Sequence, residues 1–349
     1  MRRRLARVVL ATCLACLGLA AQNAAAEAAG PAIWEFSGQS ATIRLLGSVH
    51  VLRESDYPLP ALVTKALGQA ECLVFELDLD DLDPIESQTL LLSLGRLGEG
   101  RTLHDVMGAN DYRRAAEESM KLGIDLNLFS EVRPWLAALT IMNTQFLKLG
   151  FLPQLGLDQQ LAAMAAADGK EIIGLETLEF QLGLFAGLSD RMQSELLLQT
   201  LDEASLLEEQ MGDLVTAWRQ GRTTSLAAEL GRSFADYPEL YRRLVTDRNA
   251  DWIDRIIDLA SGERDCLVVV GALHLVGTGS VIDLLRKRGV DVRLWTAGSE
   301  PGTTVSPSQI STISKSSLPA PQSGQRHVNG TSSHGVPGEI PDSGSPSSS

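Results

Sequence analysis

Between the two ends of the chain lie three histidines, His50, His104 and His274, and two of them share a pattern. Gly47-Ser-Val-His50-Val-Leu and Gly271-Ala-Leu-His274-Leu-Val each place a glycine three residues before the histidine, directly after an apolar run. Glycine supplies 31 of 349 residues, so its recurrence at that position in two of three cases points to a shared role. A glycine there lets the backbone turn tightly off a strand tip and present the imidazole at the strand's carboxyl end. That edge is where open α/β sheets bind ligands. Two further apolar runs end in acids, Leu73-Val-Phe-Glu76 and Ile172-Ile-Gly-Leu-Glu176. Two imidazoles and one or two carboxylates converging at strand tips suit a divalent ion such as Mn, Co or Zn. His104 has no such context and reads as a surface or structural histidine.

The elements that must position these groups follow an α/β order. Segments 33–37 and 41–46 read as a hairpin around Gly38-Gln39. An amphipathic helix is expected over 59–70. Segment 72–77 is continuously apolar, as strands buried on both faces are. A long helical middle runs over 111–169, a short strand over 171–174, and helices over 177–260. Strand 266–270, helix 276–289 and strand 292–295 complete the pattern. It predicts one α/β domain: a small central mixed sheet, flanking helices, a helical insertion, and a cleft at the carboxyl ends of the strands. Cys72 and Cys266 each open an apolar run and are expected to be buried free thiols, although an oxidising compartment permits a disulfide.

The two ends are not part of that domain. Residues 1–26 combine a basic start, a short apolar run and an Ala24-Ala-Ala26 cleavage site, the pattern of a secretory signal peptide. Export to the periplasm or medium is therefore expected, with no transmembrane segment after cleavage. Residues 299–349 contain 15 Ser and 7 Pro and no aromatic residue; such a segment cannot offset its chain entropy by burial and reads as disordered. The folded unit is then 27–298. The formal charge of −14 falls to −18 once Arg2, Arg3, Arg4 and Arg7 are removed. So acidic a surface argues against nucleic acid as a partner.

The ordered set Gly47-Ser-Val-His50-Val-Leu, Tyr57-Pro-Leu-Pro60, Leu73-Val-Phe-Glu76-Leu-Asp78, Arg133-Pro-Trp135, Gly156-Leu-Asp158, Gly174-Leu-Glu176-Thr, Gln181, Arg248-Asn249 with Trp252, and Val270-Gly-Ala-Leu-His274-Leu-Val-Gly277 resembles the TraB/GumN family. The resemblance runs from about residue 33 to 295. That family includes Tiki-type divalent-metal-dependent proteases with paired Gly-x-x-His motifs, and is related in fold to erythromycin esterases and ChaN-like proteins.

What the resemblance implies is a metal held by His50, Glu76 and His274, with Arg248 and Asn249 as an accessory polar pair. Their functional atoms are expected within about 8 Å of one another in a metal-free site. Glu176 is either a fourth ligand or a general base. Arg248, on a helix predicted over 237–260, would stabilise an oxyanion or orient a ligand carboxylate; Trp252 is expected to pack, and Gln181 has no assigned role. The leading reading is a divalent-metal-dependent, peptidase-like hydrolase. The alternatives are a metal-free His/Glu hydrolase of the erythromycin-esterase type and a non-enzymatic periplasmic metal- or haem-binding or exopolysaccharide-associated protein. Nothing in the residues selects a peptide over a small-molecule substrate.

Overall fold

Strands that are apolar without alternation need cover on both faces, and that requirement organises the molecule. The computed structural model describes residues 30–235 and 237–296; the expected signal peptide and tail lie outside the described residues. One six-stranded sheet is formed by β1 (Ile33–Ser37), β2 (Thr42–Ser48), β3 (Cys72–Leu77), β4 (Glu171–Glu176), β5 (Cys266–Gly271) and β6 (Arg293–Leu294), in the order β4-β3-β5-β2-β1-β6. The neighbours β4, β3, β5 and β2 are mutually parallel, while β1 runs antiparallel to both β2 and β6. The four parallel strands therefore end at one edge of the sheet.

Helices cover the sheet and extend beyond it. In chain order they are α1 (Ala61–Gln69), α2 (Pro84–Gly95), α3 (Leu103–Met107), α4 (Ala109–Lys121), α5 (Pro134–Lys148), α6 (Leu157–Ala167), α7 (Leu178–Ala186), α8 (Asp190–Glu203), α9 (Leu207–Arg219), α10 (Thr223–Ser233), α11 (Pro238–Tyr241), α12 (Asp247–Leu259) and α13 (Val281–Lys287). The main apolar core joins β1–β5 to α1, α6, α9, α12 and α13. The helical middle has a core of its own, in which Leu103, Ala115, Leu126, Ile141 and Leu197 meet. This is the α/β architecture expected, with a mixed sheet and flanking helices. Among the described residues no helix is long and apolar enough to cross a membrane.

Four local differences have physical causes. Helix α2 begins before the predicted helical middle: Asp83 caps it, accepting from the Ile85 and Glu86 amides at 2.8 Å, and Pro84 fills its first position, as N-termini favour. Strand β4 runs on to Glu176 because it continues its pairing with β3 through Leu77↔Glu176. The helix expected from 276 starts at Val281, since Gly277 and Gly279 stand at φ +80° and +77°, outside the right-handed helical region. The helix predicted over 237–260 is interrupted by a π-helix, Arg242–Thr246.

The free-thiol expectation is corrected. Cys72 and Cys266 are joined by a disulfide, with Cα atoms 4.7 Å apart. The bond follows from strand order: β3 lies beside β5 with Cys72 and Cys266 in register, a separation that a disulfide spans. A single sequence shows that both cysteines open strands but not that the strands are neighbours. The bridge closes a separation of 194 residues, and removing a native disulfide of this kind typically costs about 2–5 kcal/mol. A Cys72→Ser/Cys266→Ser double variant should therefore melt well below the parent protein, and the parent should lose the same increment on reduction. Equal midpoints by thermal circular dichroism, with and without reductant, would refute this.

Candidate functional site

The four parallel strands each deliver one polar group to the common edge: β2 leads into His50, β3 ends near Glu76, β4 ends at Glu176, and β5 leads into His274. Gly271 is the floor on which three of them meet. A Cβ placed there would lie 3.2 Å from His50 Nε2, 3.3 Å from Glu76 Oε1 and 3.4 Å from His274 Cδ2. The Gly271 amide donates to Glu76 Oε1 at 2.7 Å.

The reason for the paired glycines differs from the tight turn expected. Neither Gly47 nor Gly271 has a positive φ. Each is instead a place where a side chain would collide: a Cβ on Gly47 would come within 2.7 Å of the Ala272 Cα. Gly47 lets the β2 tip close on the turn after β5, and Gly271 leaves room for the side chains of His50, Glu76 and His274 in one cleft.

Each imidazole is oriented through its Nδ1. His50 Nδ1 lies 2.8 Å from Asp158 Oδ2. Asp158 is in the first turn of α6, which docks on the His50 segment by the Leu157 amide donating to the Val49 carbonyl at 2.9 Å. Any side chain at Gly156 would strike the His50 carbonyl, 2.0 Å from where its Cβ would sit. His274 Nδ1 lies 2.6 Å from Asn249 Oδ1, and Asn249 Nδ2 donates to the Gly279 carbonyl at 2.9 Å. That second bond settles the amide's orientation: its oxygen faces the ring, so His274 carries its proton on Nδ1. His274 Nε2 then has a free lone pair, which accepts from Arg248 Nη1 at 3.3 Å and lies 3.9 Å from Glu76 Oε1.

Arg248 is the hub of the charged groups. Its Nη2 donates to Glu76 Oε2 at 2.6 Å and to Glu176 Oε2 at 2.7 Å, its Nε to Glu176 Oε1 at 2.9 Å, and its Nη1 to the Leu244 carbonyl at 3.1 Å. Glu176 also accepts from Trp252 Nε1 at 2.8 Å and Gln181 Nε2 at 2.9 Å. Both its oxygens are thus taken, in a carboxylate only 5% exposed. Gln181 Nε2 reaches Glu76 Oε2 as well, at 3.3 Å. Trp252 packs on His274 with ring centroids 4.8 Å apart.

The structure thus brings together His50, Glu76, Glu176, Arg248, Asn249 and His274, and places His104 apart. His104 is half-exposed, edge-on to Tyr112. Asp158 is the partner that the spacing argument did not assign, although Gly156-Leu-Asp158 is part of the ordered motif set. Its signal is a glycine pinning a helix start, with an acid in the first turn.

The electrostatics separate the two histidines. Desolvation opposes protonation of His50, but the Asp158 carboxylate, and then Glu76, outweigh it and raise its pKa to about 9. Desolvation lowers His274 to about 4, with Arg248 and His50 adding to the fall against the pull of Glu76. Burial works to raise Glu76, yet His274, His50, Arg248 and the Gly271 amide bring it down to about 2. At neutral pH the metal-free site therefore holds a protonated His50, a neutral His274 and an ionised Glu76.

The chain belongs to the TraB/PrgY/gumN family, which it matches over residues 32–294. It is similar to the uncharacterized protein YbaP of Escherichia coli (strain K12), with 29% identity over 245 residues, covering 69% of this chain and 87% of that protein. The YbaP protein of Shigella flexneri matches to the same extent. No solved structure matches the chain significantly.

A folded pKa raised above the unfolded value of about 6.5 gives His50 a stabilising contribution that is full below that pH. It is lost as pH rises through about 9. In chelator-treated protein, Asp158→Asn should lower the His50 pKa toward about 6.5, read from its ring-proton NMR titration. It should also flatten the fall in melting temperature between pH 6 and pH 10. A His50 titration unmoved by Asp158→Asn would refute the pairing.

Proposed function

We propose that this protein is an exported divalent-metal-dependent hydrolase acting at a carbonyl group, with His50, Glu76 and His274 as the metal's ligands. One observation carries the reading. His50 Nε2, Glu76 Oε1 and the His274 ring converge over Gly271, while both Nδ1 atoms are held by side-chain oxygens. Tying Nδ1 to an oxygen acceptor is how proteins fix the tautomer and aim of a ligating histidine. The N,O,N donor set fits Mn, Co or Zn. When bound, the ion would supply Lewis acidity and lower the pKa of water toward neutrality.

The chain's own groups do the rest. Asp158 holds the His50 ring in place. Asn249 keeps the His274 lone pair facing the cleft. Arg248, fixed by Glu176, presents a permanent positive charge where a carbonyl oxygen would gain negative charge. In this reading Glu176, bonded by Arg248, Trp252 and Gln181, is the anchor of Arg248. Export is supported by the signal-peptide pattern of residues 1–26 and by the Cys72–Cys266 disulfide, a bond that persists in oxidising compartments.

A second reading, a metal-free hydrolase, is favoured by the Arg248 Nη1–His274 Nε2 contact at 3.3 Å and by the raised pKa of His50. There, His50 and Glu76 would exchange protons with water and leaving group. The two readings differ in thermal behaviour. A metal that binds only the folded state stabilises it by mass action, by about 2.7 kcal/mol at a hundredfold excess over Kd, and so raises the melting temperature. Mn²⁺, Co²⁺ or Zn²⁺ should thus raise the midpoint at pH 7.5. The rise should shrink toward pH 5, because the ion must displace the His50 proton and that competition grows with every unit below its pKa of about 9, and disappear in His274→Ala. Purified protein free of metal, with midpoints indifferent to added ions and activity surviving chelation, would replace the metal reading by the metal-free one.

A further inference from the structure

The cleft that contains His50 and Glu76 also has an apolar wall. It encloses about 230 Å³; His50, Glu76, Asp158 and Gln181 form its polar side, and Phe75, Leu77 and Leu79 its apolar side. These apolar residues alternate with Glu76 along β3 and into the loop that follows it, so the same segment carries the reacting carboxylate and the wall. Phe75 is buried, whereas Leu77 and Leu79 are half-buried. Among the described residues Leu77 joins none of the three apolar clusters that pack the protein. It is apolar surface facing the cleft and left without core partners, a surface whose burial by a ligand is favourable.

The size limits the occupant. Pockets for drug-sized ligands measure roughly 300–1,000 Å³, so a cleft of about 230 Å³ holds one apolar group beside the reacting groups and not an extended ligand. Charge limits it too. Leu79 is set within Asp78-Leu-Asp80-Asp81-Leu-Asp83, a run of carboxylates that disfavours an anionic group at this wall.

We propose that Leu77 and Leu79, backed by the buried Phe75, form a specificity subsite that receives a single uncharged apolar group, the side chain or acyl chain adjoining the carbonyl to be cleaved. This assignment rests on the hydrolase reading for its carbonyl, but its binding can be measured without turnover. The probe is the series of neutral straight-chain amides from acetamide to octanamide, titrated into the full chain by calorimetry. Burial of each methylene should tighten binding about fourfold, until the cavity is full and affinity levels off. Leu79→Trp should end the series at a shorter chain, and Leu77→Ala should extend it to a longer one. Affinity that ignores chain length in the parent protein overturns the subsite, as does a levelling point unmoved in both folded variants.

The matching p-nitrophenyl esters separate the two proposals. A chain-length ladder in amide binding with no ester cleaved upholds the subsite and removes the hydrolase reading. Ester cleavage with a flat chain-length profile, in both rate and binding, does the opposite.

Discussion

A guanidinium buried between two carboxylates sets the terms for everything at the sheet edge. Arg248 is 10% exposed, and the Glu76 and Glu176 side chains are 13% and 5% exposed. Taking such charges out of water costs several kcal/mol each, which only close pairing and full hydrogen bonding offset. The carboxylates come from neighbouring parallel strands and the arginine from a helix far along the chain, so the pairing is possible only if β3 and β4 end together beneath α12. Trp252 and Gln181 complete the coordination of Glu176. The fold is thereby tied to its own site: moving one strand tip would strand a charge.

That cluster also explains why two similar hexapeptides deliver unlike histidines. Two carboxylates against one guanidinium leave one negative charge in excess. On the open side His50, whose side chain is 63% exposed, sits against Asp158 and gains from holding a proton, which offsets that excess. On the closed side burial of His274 disfavours a proton first, the Arg248 charge beside it adds to that, and the ring stays neutral. The Gly-x-x-His pattern sets where a ring goes; the charge behind it sets what the ring does. One proton donor and one lone pair beside the same carboxylate is the asymmetry that the metal-free reading uses directly; in the metal reading the ion must first displace the His50 proton.

Legibility in the sequence followed physical range. Apolar continuity made the strands visible, and the acids and histidines at their ends could be read as strand-tip groups without any knowledge of strand order. What escaped depended on adjacency. Cys72 and Cys266 look like two independent buried thiols until β3 and β5 are known to be neighbours in register. Asp158 looks like an ordinary first-turn acid, as helix N-termini favour, until α6 is seen docked on the His50 backbone. The glycines were found for a reason that proved incomplete: neither makes a left-handed turn; the Ala272 backbone crowds Gly47, and the side chains of His50, Glu76 and His274 crowd Gly271.

The π-helix ahead of Arg248 is the part of the site least visible in the sequence, and its consequence is local. In an α-helix each amide reaches the carbonyl four residues back; here the Asp247 amide reaches Arg242, five back. The widened turn shifts the phase of α12 relative to α11 within one turn. The shifted face carries Arg248, Asn249 and Trp252, all buried: Arg248 holds both carboxylates, Asn249 holds the His274 Nδ1, and Trp252 holds Glu176 a second time. The Leu244 carbonyl, inside the widened turn, accepts from Arg248 Nη1 and so fixes the side chain from behind. Apolar periodicity through this segment reads as one helix because the four-residue α11 ahead of the π-turn is too short to reveal a change of phase. A regular helix would have placed the next turn about 100° away, enough to aim the guanidinium off the strand tips. π-turns recur at functional sites, and here the reason is geometric: one irregular turn lets a single helix face meet the ends of three strands, β3, β4 and β5.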